Sequence, residues 1–296
     1  MIVRAIRRLG PSAALAAGVL LALALAAILA PLAELALGLD AEAVDLFGRL
    51  QPPSAEHPLG TDELGRDLLL RLLYGGRVSL TVGVVAAVAA ASIGTAVGLA
   101  SGYLGGRTDA LLMRLADGVI ALPLLPLLIV LAAVDLTKLG LSPEAAASET
   151  VLLGRLVLLV TLVGWPTTAR LVRAATLGLR RREFVEAART LGYSPLRIAL
   201  RHVLPNAAAP ILVATTLAVG NVVLFESVLS FLGLGIRPPT PSWGNMLTGA
   251  QELIWETPSL AVWPGVLIFA TVVSVNLLGD ALRDALDPRS RRRSGG

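Results

Sequence analysis

Cysteine is absent from the 296 residues, which excludes disulfides, thiolate metal sites and cysteine nucleophiles. Histidine occurs twice, as His57 and His202, far apart in the chain, so no metal site is expected. Lys138 is the one lysine, and no glycine-rich stretch precedes it. The phosphate-cradling pattern G-x-x-x-x-G-K-[ST] therefore cannot be written, and the chain has no ATPase site of its own. Charge is scarce as well: 16% of residues are charged against 55% hydrophobic, and mean hydropathy is +0.76. That balance lies outside the range of soluble domains and points to an all-α integral membrane protein.

What is present is a set of long apolar runs. A hydrocarbon core about 30 Å thick needs roughly 20 apolar residues per helix. Six stretches qualify, near 12–34, 78–101, 111–134, 150–174, 207–232 and 259–281. The first follows Arg4, Arg7 and Arg8 like a signal peptide, but its apolar run outlasts the roughly 7–15 residues of a signal core, so it reads as an anchor. Arginine placement sets the orientation, because short cytoplasmic loops retain positive charge. The N-terminal arginines, the segment holding Arg180, Arg181, Arg182, Arg189, Arg197 and Arg201, and the tail with Arg283, Arg289, Arg291, Arg292 and Arg293 all fall on one side of a six-span topology. Both termini are thereby expected to be cytoplasmic.

The expected organisation is a cytoplasmic N-terminus over 1–11, a first transmembrane helix over 12–34 and an external loop over 35–77. A membrane core over 78–281 follows, containing a basic hairpin at 180–205, and a basic cytoplasmic tail at 282–296 ends the chain. Within the external loop, residues 61–74 read as an amphipathic helix lying on the membrane surface, with Asp62 and Glu63 at its N-terminus and Leu64, Leu68, Leu69, Leu72 and Leu73 on one face. Trp243, Trp255 and Trp263 are expected at the interface. Gly94, Gly98 and Gly102 repeat every four residues, a pattern that lets helix backbones approach closely; packing within the chain is the plainer reading and a dimer face the alternative. Pro123, Pro126 and Pro166 predict bent spans.

Few polar groups fall inside the spans. Asp117 stands three residues after Arg114, where the two can pair. Glu226 has no arginine close in sequence and is, with Asn221, a candidate for a translocation path; hydrogen bonding between helices is the equal alternative for Glu226, and ordinary packing the plainer reading of Asn221 and Asn276.

The stretch EFVEAARTLGYSPLRIALRHVLPN, 183–206, states its own helix boundaries. Phe184, Ala187, Ala188 and Leu191 share a helical face, and Gly192 follows as a left-handed stop. Ser194-Pro195 then reads as N-cap and first helical residue of a second helix that Pro205 ends or bends. Two short amphipathic helices at a tight corner make a docking shape.

Glu186-Ala187-Ala188, Gly192 and Leu204-Pro205 resemble the cytoplasmic loop signature of ABC importer permeases, with His202 where a hydrophobic residue is usual. HPLGTDELGRDLLLRLLYGGRVSL from His57, FLGLGIRPPTPSWGNML from Phe231 and NLLGDALRDALDPR from Asn276 are similar to the C-type permease of dipeptide, oligopeptide and nickel importers. The resemblance implies a type I importer permease fold of six helices with a cytoplasmic coupling hairpin, in the cell inner membrane. It further implies a heterodimer with a second homologous permease, two cytoplasmic ABC ATPases that bind ATP and magnesium, and an extracytoplasmic substrate-binding protein. On that reading Glu186, Ala187, Ala188, Gly192, Leu204 and Pro205 couple to the ATPase. No catalytic residue and no bound cofactor are expected in this chain, and peptides are the expected solute, with nickel complexes and other small solutes behind.

Other readings of the same residues are weaker. Binding of anionic headgroups explains the arginines but not the capped corner. Helix-turn-helix DNA recognition is a poor reading, because membrane spans tether both ends of the hairpin. An intramembrane protease would need a serine and a histidine meeting in the bilayer, and neither histidine lies within a span. An ATP-independent carrier is the remaining transport alternative, although no inverted repeat is visible.

Overall fold

The structure, a computed structural model, describes residues 10–286. The arginines of the extreme N-terminus and those beyond Arg283 lie outside the described residues. Regular structure is helical throughout them, apart from one antiparallel bridge between Thr61 and Asp67. In chain order the α-helices are α1 (Pro11–Ile28), α2 (Ala30–Leu37), α3 (Leu68–Leu104), α4 (Gly106–Ala121), α5 (Leu124–Ala132), α6 (Pro143–Ala147), α7 (Glu149–Leu179), α8 (Glu183–Thr190), α9 (Pro195–Ile198), α10 (Ala208–Phe231), α11 (Trp243–Ala250) and α12 (Ser259–Leu286). Five runs are long and apolar enough to cross a membrane: α1, α3, α7, the continuous run Pro195–Phe231, and α12. The bent pair α4 and α5 supplies a sixth crossing if the two are counted as one span.

Several expected boundaries move, each for a local reason. The first span ends at Ile28 rather than at 34, because Pro31 in the first turn of α2 has no N–H to continue the ladder. No amphipathic helix spans 61–74. Residues 61–67 form a hydrogen-bonded turn, and helix begins only at Leu68, where the Asp67 carboxylate accepts the Leu70 N–H at 2.8 Å. From there α3 runs unbroken for 37 residues, merging the expected surface helix with the second span. Asp62 is therefore not a helix-dipole partner. Its carboxylate accepts from Arg66 Nε at 2.8 Å and stands 3.2 Å from Arg71 Nε, in a buried cluster that ties the turn to α3.

The third expected span breaks at Leu122-Pro123, and its two halves meet at 85°. Proline accounts for the break, and Arg155 of α7 holds the other end of α5. Arg155 Nη2 donates to the carbonyls of Leu131 at 3.1 Å, Val134 at 2.7 Å and Ala132, closing the orphaned end of α5.

The α3–α7 seam is where small residues matter most. A Cβ on Gly94 would sit 2.5 Å from the Trp165 carbonyl oxygen, one on Gly98 2.4 Å from that of Ala169, and one on Gly102 2.7 Å from Thr176 Cβ. The four-residue glycine ridge thus packs within the chain. Asp117 does not pair with Arg114. It bonds across to Arg170 of α7, and two turns earlier Asp109 receives Arg173 Nε at 2.5 Å and Nη2 at 2.6 Å, so arginine–carboxylate pairs join α4 to α7.

Candidate functional site

The hairpin forms as its residues specify. At the end of α8 the Gly192 N–H donates to the Arg189 carbonyl at 2.9 Å and the Tyr193 N–H to that of Ala188 at 3.1 Å. With φ +77° at Gly192 this is the paired-bond left-handed stop that glycine tolerates without strain. Ser194 Oγ accepts the Arg197 N–H at 3.4 Å, and Pro195 opens α9. The chain then passes through a π-helical turn at Ala199–Val203 and a 3-10 turn at Leu204–Ala207 before α10. Pro205 cannot donate to the residue-201 carbonyl, and the widened turn takes up that mismatch without ending the rod.

Val185, Ala188, Ile198 and Val203 are buried against Leu99 of α3 and Val172 of α7. The corner is therefore clamped to the same ends of the two helices that the glycine seam joins. This changes which face looks outward. Of the four residues expected on one apolar face, only Ala188 turns inward, beside Val185, while Phe184, Ala187 and Leu191 face out. The Glu186-Ala187-Ala188 surface is thus half a surface, because Ala188 is consumed by the chain's own core. The free apolar patch comes instead from Leu191 (71% exposed) and Leu196 (69%), the residues either side of the corner, with Leu200 beyond them.

Around this patch the charges are ordered. Glu186 is exposed and receives Arg189 Nη1 at 2.7 Å, the Arg189 guanidinium lies 5.7 Å over the Tyr103 ring, and Arg197 lies 5.1 Å over Tyr193. His202 stacks on Tyr193 with ring centroids 5.8 Å apart, so the histidine that departs from the usual pattern extends an aromatic contact. Leu204 is half-buried and Pro205 exposed.

The second candidate separates into its two residues. Glu226 is fully buried; Oε2 accepts from Ser79 of α3 at 2.8 Å and Oε1 from Ser230 of α10 at 2.8 Å. Each serine is used twice. Ser79 Oγ accepts the Trp243 N–H at 3.2 Å, and Ser230 Oγ accepts the Ile236 N–H at 3.0 Å. Glu226 is thus the hub that holds α3, α10, the loop after α10 and the start of α11 together, which is the helix-bonding alternative. Asn221, by contrast, lies on the exposed side of α10. Trp243 is not interfacial: it is buried beside Gly75 and Gly76, with its indole N–H donated to the Leu72 carbonyl at 3.0 Å. The network around it, completed by the Ser242–Asn245 capping box, was not readable from spacing, since its members come from segments more than 140 positions apart.

These features define a class: a multi-pass helical membrane protein with a capped hairpin corner packed at one end of its bundle. Residues 94–292 match the family described as binding-protein-dependent transport system inner membrane component. The chain belongs to that family and is a permease membrane subunit of an ABC transporter, located in the inner membrane. It is 41% identical over 243 residues to the dipeptide transport system permease protein DppC of Alkalihalophilus pseudofirmus, covering 82% of this chain and 75% of that one. A putative peptide transport system permease protein of Brucella suis biovar 1 is 40% identical over 270 residues, 91% of this chain and 85% of that one. The glutathione transport system permease protein GsiD of Escherichia coli is 40% identical over 237 residues, 80% of this chain and 74% of that one.

Proposed function

We propose that this permease subunit carries peptides inward across the membrane, driven by ATP hydrolysis on separate cytoplasmic subunits and fed by an extracytoplasmic binding protein. The observation that carries the reading is the corner at Gly192: a rigid, capped apolar knuckle clamped to α3 and α7 and continuous with α10. Such a body moves as a unit. Arginine placement puts it on the cytoplasmic side. There Ala187, Leu191 and Leu196 would enter a cleft on an ATPase while Glu186 and the arginines ring its edge. ATP favours the closed ATPase pair, and the shift in that equilibrium would be transmitted through the corner. A second, homologous permease completes the pathway, for which the Asn221 side of α10 remains the candidate lining. Peptides are preferred over nickel complexes because the similar proteins are named for dipeptide, peptide and glutathione transport.

The test is reconstitution of the whole transporter in proteoliposomes with Gly192→Pro and Glu186→Lys. ATP hydrolysis is expected to persist while peptide uptake is lost. Normal uptake by both variants refutes the coupling role. Uptake by wild-type vesicles lacking any ATPase subunit would instead establish the ATP-independent carrier.

A further inference from the structure

The segment between α2 and α3 carries an aromatic side chain that its own fold leaves bare. Phe47 is 100% exposed, between Leu46 at 62% and near Val44 at 56%. This is not a loose loop. The Asp45 carboxylate accepts the Phe47 N–H at 3.0 Å, the Asp45 N–H donates to the Leu64 carbonyl at 3.1 Å, the Leu50 N–H to that of Asp62 at 3.2 Å, and Thr61 Oγ1 to that of Gly48 at 2.5 Å. Gly65 admits the crossing, since a Cβ there would lie 1.7 Å from the Asp45 oxygen. Leu50 is held at φ +53°, a conformation that leucine keeps only when its surroundings impose it. The finger is built, and its tip is apolar.

Its place in the molecule limits what can cover it. The finger packs on the Leu68 end of α3, whereas the hairpin packs on Leu99, about 46 Å further along the helix at 1.5 Å per residue. The 37 residues of α3 rise about 55 Å against a hydrocarbon core of about 30 Å, and the charged first turns with Arg71 and Arg77 are the part that stands clear. Phe47 is therefore beyond the hydrocarbon, on the side opposite the hairpin. Exposed Asp40, Glu42 and Asp45 precede it and exposed Arg49 follows, while exposed Arg77 lines a cavity with Asp40 and Glu42. A net acidic surround repels anionic headgroups and suits a protein surface with an apolar pocket rimmed by lysine and arginine.

We infer that the finger tip at Leu46-Phe47 is a docking anchor for the extracytoplasmic binding protein, which would receive Phe47 in a basic-rimmed apolar pocket. The inference rests on the importer reading above and adds the surface through which the binding protein engages this subunit. A buried aromatic anchor of this kind typically accounts for a large share of an interface's affinity.

The experiment places p-benzoylphenylalanine at Phe47 of the full transporter in its own cells and identifies the photo-adduct by mass. An adduct with an extracytoplasmic solute-binding protein is expected. An adduct with the second permease, with lipid alone, or none at all overturns the inference. In parallel, Phe47→Asp in the nanodisc-embedded complex is expected to weaken that binding protein by about thirtyfold or more, with basal ATP hydrolysis and subunit composition unchanged. Unaltered affinity also overturns it. The underlying reading fails separately, and the anchor with it, if the wild-type complex shows no hydrolysis stimulated by the binding protein.

Discussion

Gly98→Ala adds one methyl group where the structure has no room for it. The new Cβ would stand 2.4 Å from the Ala169 oxygen, 2.8 Å from Val172 Cβ and 3.0 Å from the Arg173 nitrogen. Two of these are backbone atoms and the third is a Cβ, so no side chain can swing aside, and α3 and α7 must part by about 1 Å to restore ordinary contact. Overpacking by one methylene costs about 1–3 kcal/mol, while replacing glycine by alanine inside a helix returns about 0.5–1 kcal/mol. The net expectation is a loss of up to about 2 kcal/mol. Gly178→Ala in α7 is the internal control, because a Cβ there meets nothing within 4 Å. It should gain the helix term alone. Thermal unfolding of the purified complex, followed by tryptophan fluorescence, should move the two midpoints in opposite directions from wild type. Because Leu99 and Val172 also seat the hairpin, Gly98→Ala should in addition lower the uptake obtained per ATP hydrolysed. Equal midpoints for the two variants would refute the reasoning, since it rests on the seam rather than on helix propensity.

Two further outcomes follow from buried polar groups. Glu226→Leu orphans the hydroxyls of Ser79 and Ser230, at about 1–3 kcal/mol each, and should unseat Trp243, read as a red-shifted and quenchable tryptophan signal; Glu226→Gln keeps one acceptor and should cost about 1 kcal/mol. An unshifted signal for the leucine variant would count against the hub. Arg155→Leu removes the donor to three carbonyls at the end of α5, and hydrogen exchange should accelerate over residues 128–134, with Arg155→Lys restoring part of the protection; exchange identical to wild type would mean that Arg155 does not hold that end of the helix.

The helices were legible where one residue decides the matter. Gly192, Ser194 and Pro195 each act on backbone within three positions, so the corner was readable, whereas the π-helical turn beyond Ile198 and the continuity through Pro205 were not. The glycine ridge was readable as a packing face, though not its partner. What escaped was decided by residues distant in sequence. Trp243 looked interfacial because interfaces are a common place for tryptophan, but Gly75 and Gly76 open a slot for it on α3, and nothing near Trp243 announces them. Asp117 had an arginine three positions away and took a different one from α7. The expected helix at 61–74 failed because its leucines from 68 onward belong to α3, while Thr61, Asp62 and Asp67 spend their side chains on turns. Ala188 was misplaced because helix periodicity finds a stripe without saying whether the chain or a partner covers each residue in it.

The π-helical turn before α10 has a mechanical consequence. From Ile198 to Glu226 the chain is one rod about 42 Å long at 1.5 Å per residue. Were the rod to pivot by about 5° at that widened turn, its far tip would sweep about 3 Å, further than a hydrogen bond can stretch. The serines around Glu226 would then either release it or travel with it, carrying Trp243 and the segment beneath it along. A nudge at the knuckle would be magnified into displacement at the opposite rim.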